Sequence, residues 1–267
     1  MDGRVIKILT IGDTYGDPGR KAVELFVNSM KKEGIVDFVI CNAENAAHGA
    51  GLTESIAKEL FQNGCDVLTG GDHIFDRKKE IEEFLKKEPR VIRPANFHKT
   101  LPGSGSCVIE CKGVKIGVAH VAGQVFMRYH LPSPFWAIDE EIEKIKKQGA
   151  QIIVVDVHAE ATSEKMAFLW HVDGRVSAVV GTHTHVQTAD ERVTDKGTAY
   201  LTDLGMTGPY DSVIGAEKGL IIQRFLTQVG GKKEVARGDV RLCGAIITAD
   251  PHTGRALSIE RLQKKIT

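Results

Sequence analysis

The chain has 267 residues, of which 42% are hydrophobic and 26% charged; these are ordinary proportions for a globular protein and exclude a disordered one. Its 35 basic residues balance 35 acidic ones, and no basic run stands apart from an acidic one, which argues against a strong nonspecific grip on duplex nucleic acid. Such a length accommodates one large α/β domain or two small ones, and the motif layout favours one domain over residues 1–267.

The N-terminal apolar stretch in MDGRVIKILTIGD is too short to span a membrane and runs directly into a motif. It reads as a first strand, Ile6–Ile11, and no targeting segment is visible. Asp17 and Pro18 then read as N-cap and first position of a helix with the apolar stripe Val23, Phe26, Val27 and Met30, stopped by Gly34. Further apolar runs of strand length are Phe38–Ile40, Val67–Leu68, Val114–Ala119, Ile152–Val155, Ala178–Val180 and Ala199–Leu201. Most are continuous and rich in Val and Ile, the pattern of strands buried on both faces. Helical patterns at Glu54–Gln62, Lys78–Lys87 and Asp139–Gln148, the last closed by Gly149, lie among them. This alternation predicts a layered α/β domain.

The stretch SCVIECKGVKIGVAH suggests a hairpin in which Cys107 and Cys111 are packing residues. With Cys41, Cys65 and Cys243 the cysteines are odd in number and form no CxxC pair, against a disulfide framework or structural zinc and for a cytoplasmic location. From Gly205 onward a glycine-rich stretch precedes Leu220–Leu226, Val240–Thr248 and Ala256–Leu262. This tail reads as β-rich, either completing a sheet or forming an oligomer contact.

Five apolar runs end in potential metal ligands. Asp13 ends ILTIGD, Glu44 and Asn45 end FVICNAEN, Asp72 and His73 end VLTGGDH, His158 ends IIVVDVH, and His183 and His185 end AVVGTHTH. Each alone has an ordinary explanation as a turn, a cap or a structural histidine. Together they imply one pocket, because ligands in open α/β sheets gather beyond the carboxyl ends of strands. Oxygen and imidazole donors without thiolate suit Mn, Fe, Zn or similar divalent ions. Asp13, Glu44, Asn45, Asp72, His158, His183 and His185 are too many for one ion with open positions. They suffice for two ions sharing a carboxylate, an arrangement that clamps both oxygens of a phosphoryl transfer.

The motif order, GD, an acidic residue before Asn, GDH, a lone His and GTHTH, resembles the calcineurin-like metallophosphoesterases. More narrowly, AENAAHGAGLT, TGGDHIFD, RPANF, GTHTHVQTAD and DLGMTGPYDSVIG are similar to its YmdB-like bacterial branch over nearly the whole chain. The resemblance implies an α/β sandwich of two β-sheets flanked by helices. It implies hydrolysis of a small phosphodiester, 2′,3′-cyclic nucleotides first and 3′,5′-cyclic nucleotides second, by a homo-oligomer without membrane attachment. It assigns Asp13, Glu44, Asn45 and His185 to one metal, and Glu44, Asp72, His158 and His183 to the other, with His73 as proton donor to the leaving oxygen. Two divalent transition-metal ions per chain are implied, Fe or Mn first, with Zn or Mg as alternatives.

Two departures stand out. The family usually carries Asn at the position of Asp72; an Asn can donate from its amide, whereas an ionised Asp only accepts. The start GDTYGDPGR replaces the more usual apolar pair after GD, leaving Tyr15 either in the pocket or on a surface loop.

The expected mechanism is in-line attack on phosphorus by a hydroxide bridging the metals, while His73 protonates the departing ribose oxygen. Asp76 either orients His73 or, the preferred reading, caps the following helix. Arg20 and Arg93 either reach substrate phosphate or serve structure, and His48 and His120 either support the ligands or are structural. The aromatic stretch FMRYHLPSPFW either stacks a nucleobase or packs in the core or an oligomer contact. Two rival functions remain: a phosphomonoesterase of the same fold, and a regulatory nucleotide- or metal-binding protein with weak turnover.

Overall fold

A computed structural model describes residues 5–231 and 234–266. The chain begins β1 (Ile6–Ile11), β2 (Asp13–Thr14), α1 (Gly16–Lys32), β3 (Phe38–Asn42), α2 (Glu54–Gln62), β4 (Val67–Thr69), α3 (Lys78–Lys87) and β5 (Val91–Ile92). It continues with β6 (Ser106–Cys111), β7 (Val114–Ala122), α4 (Pro134–Lys147), β8 (Ile152–His158), α5 (Thr162–Val172), β9 (Ala178–Thr182), β10 (Arg192–Val193) and β11 (Ala199–Leu201). It closes with β12 (Met206–Pro209), α6 (Lys218–Thr227), β13 (Val240–Ala249) and β14 (Ala256–Lys265).

In one sheet β1, β3, β4 and β5 run parallel, and β13 pairs antiparallel with β1, β12 and β14. In the other, β7, β8, β9 and β11 are parallel, with antiparallel β6 and β10 at the edges. Successive strand residues point to opposite faces, and both faces are apolar. Thus Ile6 and Ile8 of β1 join Val118 and Val154 between the sheets, whereas Leu9 and Ile11 pack with Val23, Val27 and Leu60 of α1 and α2. On the far side Val155 and Val157 of β8 meet Ile138 and Ile142 of α4 and Phe168 of α5. The result is four layers, helix, sheet, sheet and helix, which is why the strands read as unbroken apolar runs. Each Val, Leu or Ile so buried contributes roughly 1.5–3 kcal/mol.

Several local expectations are corrected. Helix α1 starts at Gly16 after Tyr15, with no side-chain cap; Asp17 lies inside the first turn, where its carboxylate pairs with Arg20 at 2.9 Å and complements the helix dipole. Helix α3 follows Arg77, not Asp76, as its cap. Helix α4 begins at Pro134 rather than Asp139, since proline suits a first turn. Residues Leu220–Leu226 are helical, not part of a β-rich tail: the Glu217 carboxylate caps the Leu220 N–H, and Gln228 closes α6 in the left-handed conformation. The rest of that tail, β13 and β14, is the expected β-structure. β6 and β7 form the expected hairpin, and all five cysteines are free thiols. Among the described residues no helix is long and apolar enough to cross a membrane.

Candidate metal centre

All seven expected ligands meet at or just beyond the carboxyl ends of β1, β3, β4, β8 and β9. Donor atoms of Glu44, Asp72, His158 and His183 lie within 4.8 Å of one another, and those of Asp13, Glu44 and His185 form a second such group, so Glu44 belongs to both. The His158 Nε2 is 3.0 Å from Asp72 Oδ1 and 3.2 Å from Glu44 Oε2. His183 Nδ1 lies 3.5 Å from Asp72 Oδ1, and His185 Nε2 lies 3.8 Å from Asp13 Oδ1. Asn45 joins the second group, its amide donating to Glu44 Oε1 at 2.9 Å and lying 3.3 Å from His185 Nε2.

Local backbone chemistry makes this convergence possible. A Cβ on Gly71 would stand 1.8 Å from Glu44 Oε2 and 2.7 Å from the His158 ring, so glycine is required between β4 and Asp72. His183 and His185 have φ of 100° and 65°, left-handed backbone that costs about 1–3 kcal/mol per residue unless its surroundings impose it. Asp203 supplies that restraint. Its Oδ2 accepts from the Thr184 N–H at 3.1 Å, the Thr184 hydroxyl at 2.7 Å and the Lys165 ammonium at 2.8 Å, while Oδ1 accepts from Gly205 N–H at 2.8 Å.

A second buried carboxylate fixes the His158 tautomer. Thr182 Oγ1 donates to Asp156 Oδ1 at 2.7 Å, so it accepts from His158 Nδ1–H at 2.8 Å. That places the proton on Nδ1 and leaves Nε2 free for a cation. Asp156 Oδ2 also accepts from Thr69 Oγ1 at 2.6 Å and Asn42 Nδ2 at 3.3 Å. Asp156, Thr182, Asp203 and Lys165 were not anticipated, although an Asp inside the apolar run IIVVDVH was a visible anomaly.

The electrostatics call for a cation. Burial, followed by the charges of Asp13 and Asp72, pushes the Glu44 carboxyl well above its usual range, and burial raises Asp13. Burial also acts upward on Asp72, but the histidines packed against it, His158 and His183, outweigh it and hold that carboxyl below its usual range. Burial drives His158 towards its neutral form, whereas for His183 the Asp72 carboxylate overcomes burial and raises the ring. Asp13 Oδ1 is buried with no hydrogen-bond partner. Crowded carboxylates, an orphaned oxygen and an unprotonated imidazole nitrogen fit divalent cations with oxygen and nitrogen preference.

A cavity of about 860 Å³ opens on this cluster and is also lined by Tyr15, His73 and Glu160. Another, of about 1090 Å³, adjoins it at His48 but contains none of the seven candidate ligands. The His73 N–H donates to Glu44 Oε2 at 3.1 Å, and its Nδ1 lies 2.6 Å from Asp76 Oδ2. Asp76 Oδ1 in turn accepts from Arg128 at 2.8 Å. Asp76 therefore orients His73, which explains why it does not cap α3, and it leaves Nε2 as the free ring nitrogen.

The remaining alternatives also separate. Tyr15 lines the cavity and packs edge-on against His185 at 5.7 Å. Arg20 is tied to Glu59 and the Ala46 carbonyl, and Arg93 to the carbonyls of Pro94, Leu101 and Pro102, so both serve structure. His120 is buried behind His158, with Nδ1 3.1 Å from the Asp156 carbonyl. In the aromatic stretch Tyr129 packs on Phe97 and Phe135 on Phe168. Among the described residues that stretch lines no part of the cavity, and its Arg128 pairs with Asp76 behind His73. Glu160, 3.2 Å from His183 Nε2, is a further cavity residue the sequence did not single out.

Comparison with known proteins gives a consistent result. The profile of the YmdB-like protein family matches residues 9–262. A Bacillus subtilis (strain 168) protein named 2′,3′-cyclic-nucleotide 2′-phosphodiesterase is 47% identical over 257 residues, 96% of each chain. The crystal structure of a novel phosphatase from Mycoplasma pneumoniae has a TM-score of 0.90 at 34% identity, covering 98% of this chain and 94% of that one. A 5′-nucleotidase precursor from Thermus thermophilus, with TM-score 0.59 at 13% identity over 98% of this chain and 55% of its own, shares the fold alone. The two-sheet sandwich is thus of the calcineurin-like kind, and the chain belongs to the YmdB-like family of metallophosphoesterases.

Proposed function

We propose that the protein is a two-metal phosphodiesterase acting on small phosphodiesters, 2′,3′-cyclic nucleotides first. The observation that carries this reading is the pair of donor groups sharing Glu44, and the named activity of the 47% identical relative supports the substrate class. In this reading Asp13, Glu44, Asn45 and His185 hold one divalent ion, and Glu44, Asp72, His158 and His183 the other, with Fe or Mn ahead of Zn or Mg. When bound, such ions make hydroxide available at neutral pH and neutralise charge on phosphoryl oxygens. Residues 1–267 act as one catalytic unit, since β13 near the C-terminus pairs along β1 at the N-terminus.

The chain's own contribution is proton delivery and orientation. The His73 Nε2 protonates the departing ribose oxygen while Asp76, steadied by Arg128, holds the other ring nitrogen. A positioned imidazole acid contributes about 10²–10⁴-fold, most where the leaving group is a basic alkoxide. Thr182 and Asp156 keep His158 in its ligand tautomer, and Asp203 keeps His183 and His185 in their left-handed backbone.

The test is metal analysis of purified protein coupled to turnover of 2′,3′- and 3′,5′-cyclic nucleotides, linear diesters and phosphomonoesters. About two ions per chain are expected, with diesters favoured over monoesters. A preference for terminal phosphates would make the protein a phosphomonoesterase; metal binding without turnover of any ester would make it a binding protein.

A further inference from the structure

Helix α6 is unusual in this fold: none of its residues is buried. Yet Ile221, Arg224, Phe225 and Gln228 line the same cavity as Glu44, His73 and His183. The spacing of Ile221, Arg224 and Phe225, i, i+3 and i+4, is one face of the helix, and its left-handed C-cap Gln228 follows. The loop before it is anchored to a candidate ligand, because His185 Nδ1 lies 3.0 Å from the Ile214 carbonyl oxygen, and Ile214 itself lines the cavity.

Arg224 has no hydrogen bond, ion pair or ring contact for its guanidinium among the described residues, although Arg20, Arg93 and Arg128 are all engaged. Two divalent ions would bring four positive charges against the carboxylates of Asp13, Glu44 and Asp72, and the hydroxide they supply would offset the fourth, so the metals would hold one phosphodiester anion by coordination with no charge left over. An unpaired guanidinium in the same cavity then adds attraction for a second anion. Arg224 and its exposed neighbour Phe225 combine a phosphate-pairing fork with an aromatic face, the combination on which a nucleobase stacks beside a bound phosphate.

We infer that the α6 face is a subsite for the next nucleotide of the substrate, with Arg224 binding a second phosphate. The substrate class is then an oligonucleotide end whose terminal phosphodiester lies at the metals. This inference rests on the phosphodiesterase reading above and deepens it.

The test compares a mononucleoside 2′,3′-cyclic phosphate, which has one phosphate, with a dinucleotide ending in the same cyclic phosphate, which has two. Both kcat/KM and equilibrium binding are measured on metal-loaded protein. The parent should prefer the dinucleotide, and Arg224→Gln should reduce that preference about tenfold, chiefly through KM, with Arg224→Lys restoring part of it. Lys218→Gln, a charge loss on the same helix at a residue paired with Asp211, should keep the preference. Equal losses on both substrates, or none on either, would overturn the subsite. Absence of turnover on either substrate would count against the phosphodiesterase reading alone, because the ratio of the two binding constants still reports the Arg224 effect.

Discussion

Removing the Thr182 hydroxyl isolates the contribution of the hydrogen bonds behind His158. Thr182→Val keeps the shape of the side chain but deletes the acceptor for His158 Nδ1–H at 2.8 Å and the donor to Asp156 Oδ1 at 2.7 Å. It also deletes an acceptor for Asn42 Nδ2 at 3.3 Å. Thr182 and His158 are both 0% exposed and Asp156 only 3%, so water cannot replace what is lost. Leaving buried polar groups unsatisfied costs about 1–3 kcal/mol each, which puts the loss of fold stability at roughly 2–6 kcal/mol for the two strongly bonded partners. The His158 proton is then free to move to Nε2, and loss of such a partner typically weakens metal binding about 10–100-fold. Competition titration against a chromophoric chelator reads the affinity, and thermal unfolding of chelator-treated protein reads the structural part separately. Thr182→Ser, which keeps the hydroxyl, should bind metal nearly as the parent does. If the Val variant also binds like the parent, the tautomer argument is wrong.

Other variants and conditions test the remaining parts of the site. His73→Ala should retain its metals but lose about 10²–10⁴-fold in the hydrolysis of alkyl diesters and far less for nitrophenyl esters; equal losses across leaving groups would deny it a proton-donor role. Asp72→Asn removes an anionic candidate ligand that lies 3.0 Å from His158 Nε2 and adds an amide donor, so it should weaken retention of one ion yet speed diester hydrolysis at saturating metal. Slower hydrolysis under those conditions would give the carboxylate a positive catalytic task. Because burial shifts Asp13 and Glu44 towards their protonated forms, loading metal should release protons, seen as a dependence of the calorimetric heat on buffer ionisation enthalpy. With folded carboxyl pKa values above the unfolded ones, their contribution to the metal-free fold is present at low pH and lost as pH rises through the folded values. The melting-temperature gap between loaded and chelated protein should therefore widen with pH, and a constant gap would refute this.

The candidate ligands were legible because each is marked locally. Asp13, Glu44, Asn45, Asp72, His158, His183 and His185 follow apolar runs whose β-character is unambiguous, and parallel strands carry their ends to one edge without further information. Helix α6 was misread for an equally local reason. LIIQRFL is a short apolar run, and periodicity cannot separate a strand from a helix over that length; the deciding feature, the Glu217 cap on Leu220, lies outside the run. Helix α5 carries no clear apolar stripe that would mark it in the sequence, and its buried positions include the charged residues Glu164 and Lys165. The first accepts from the Gln124 and Val125 N–H groups and the second is paired with Asp203.

The supporting carboxylates were illegible for a different reason: their partners are distant in sequence. Asp156 takes hydrogen bonds from Asn42 and Thr69, 114 and 87 residues away, and Asp203 from Lys165, 38 residues away. Such pairs exist only once the two sheets have packed. The two carboxylates also divide the work, Asp156 setting which nitrogen of His158 carries the proton and Asp203 setting the backbone of His183, Thr184 and His185. A buried lysine is costly unless paired, and here the cost is offset where it holds a left-handed turn that would otherwise relax. Ligand geometry is thus held by hydrogen bonds within the protein, and Glu160 and Arg224, which line the same cavity without belonging to either donor group, are positions where charge can be altered without dismantling it.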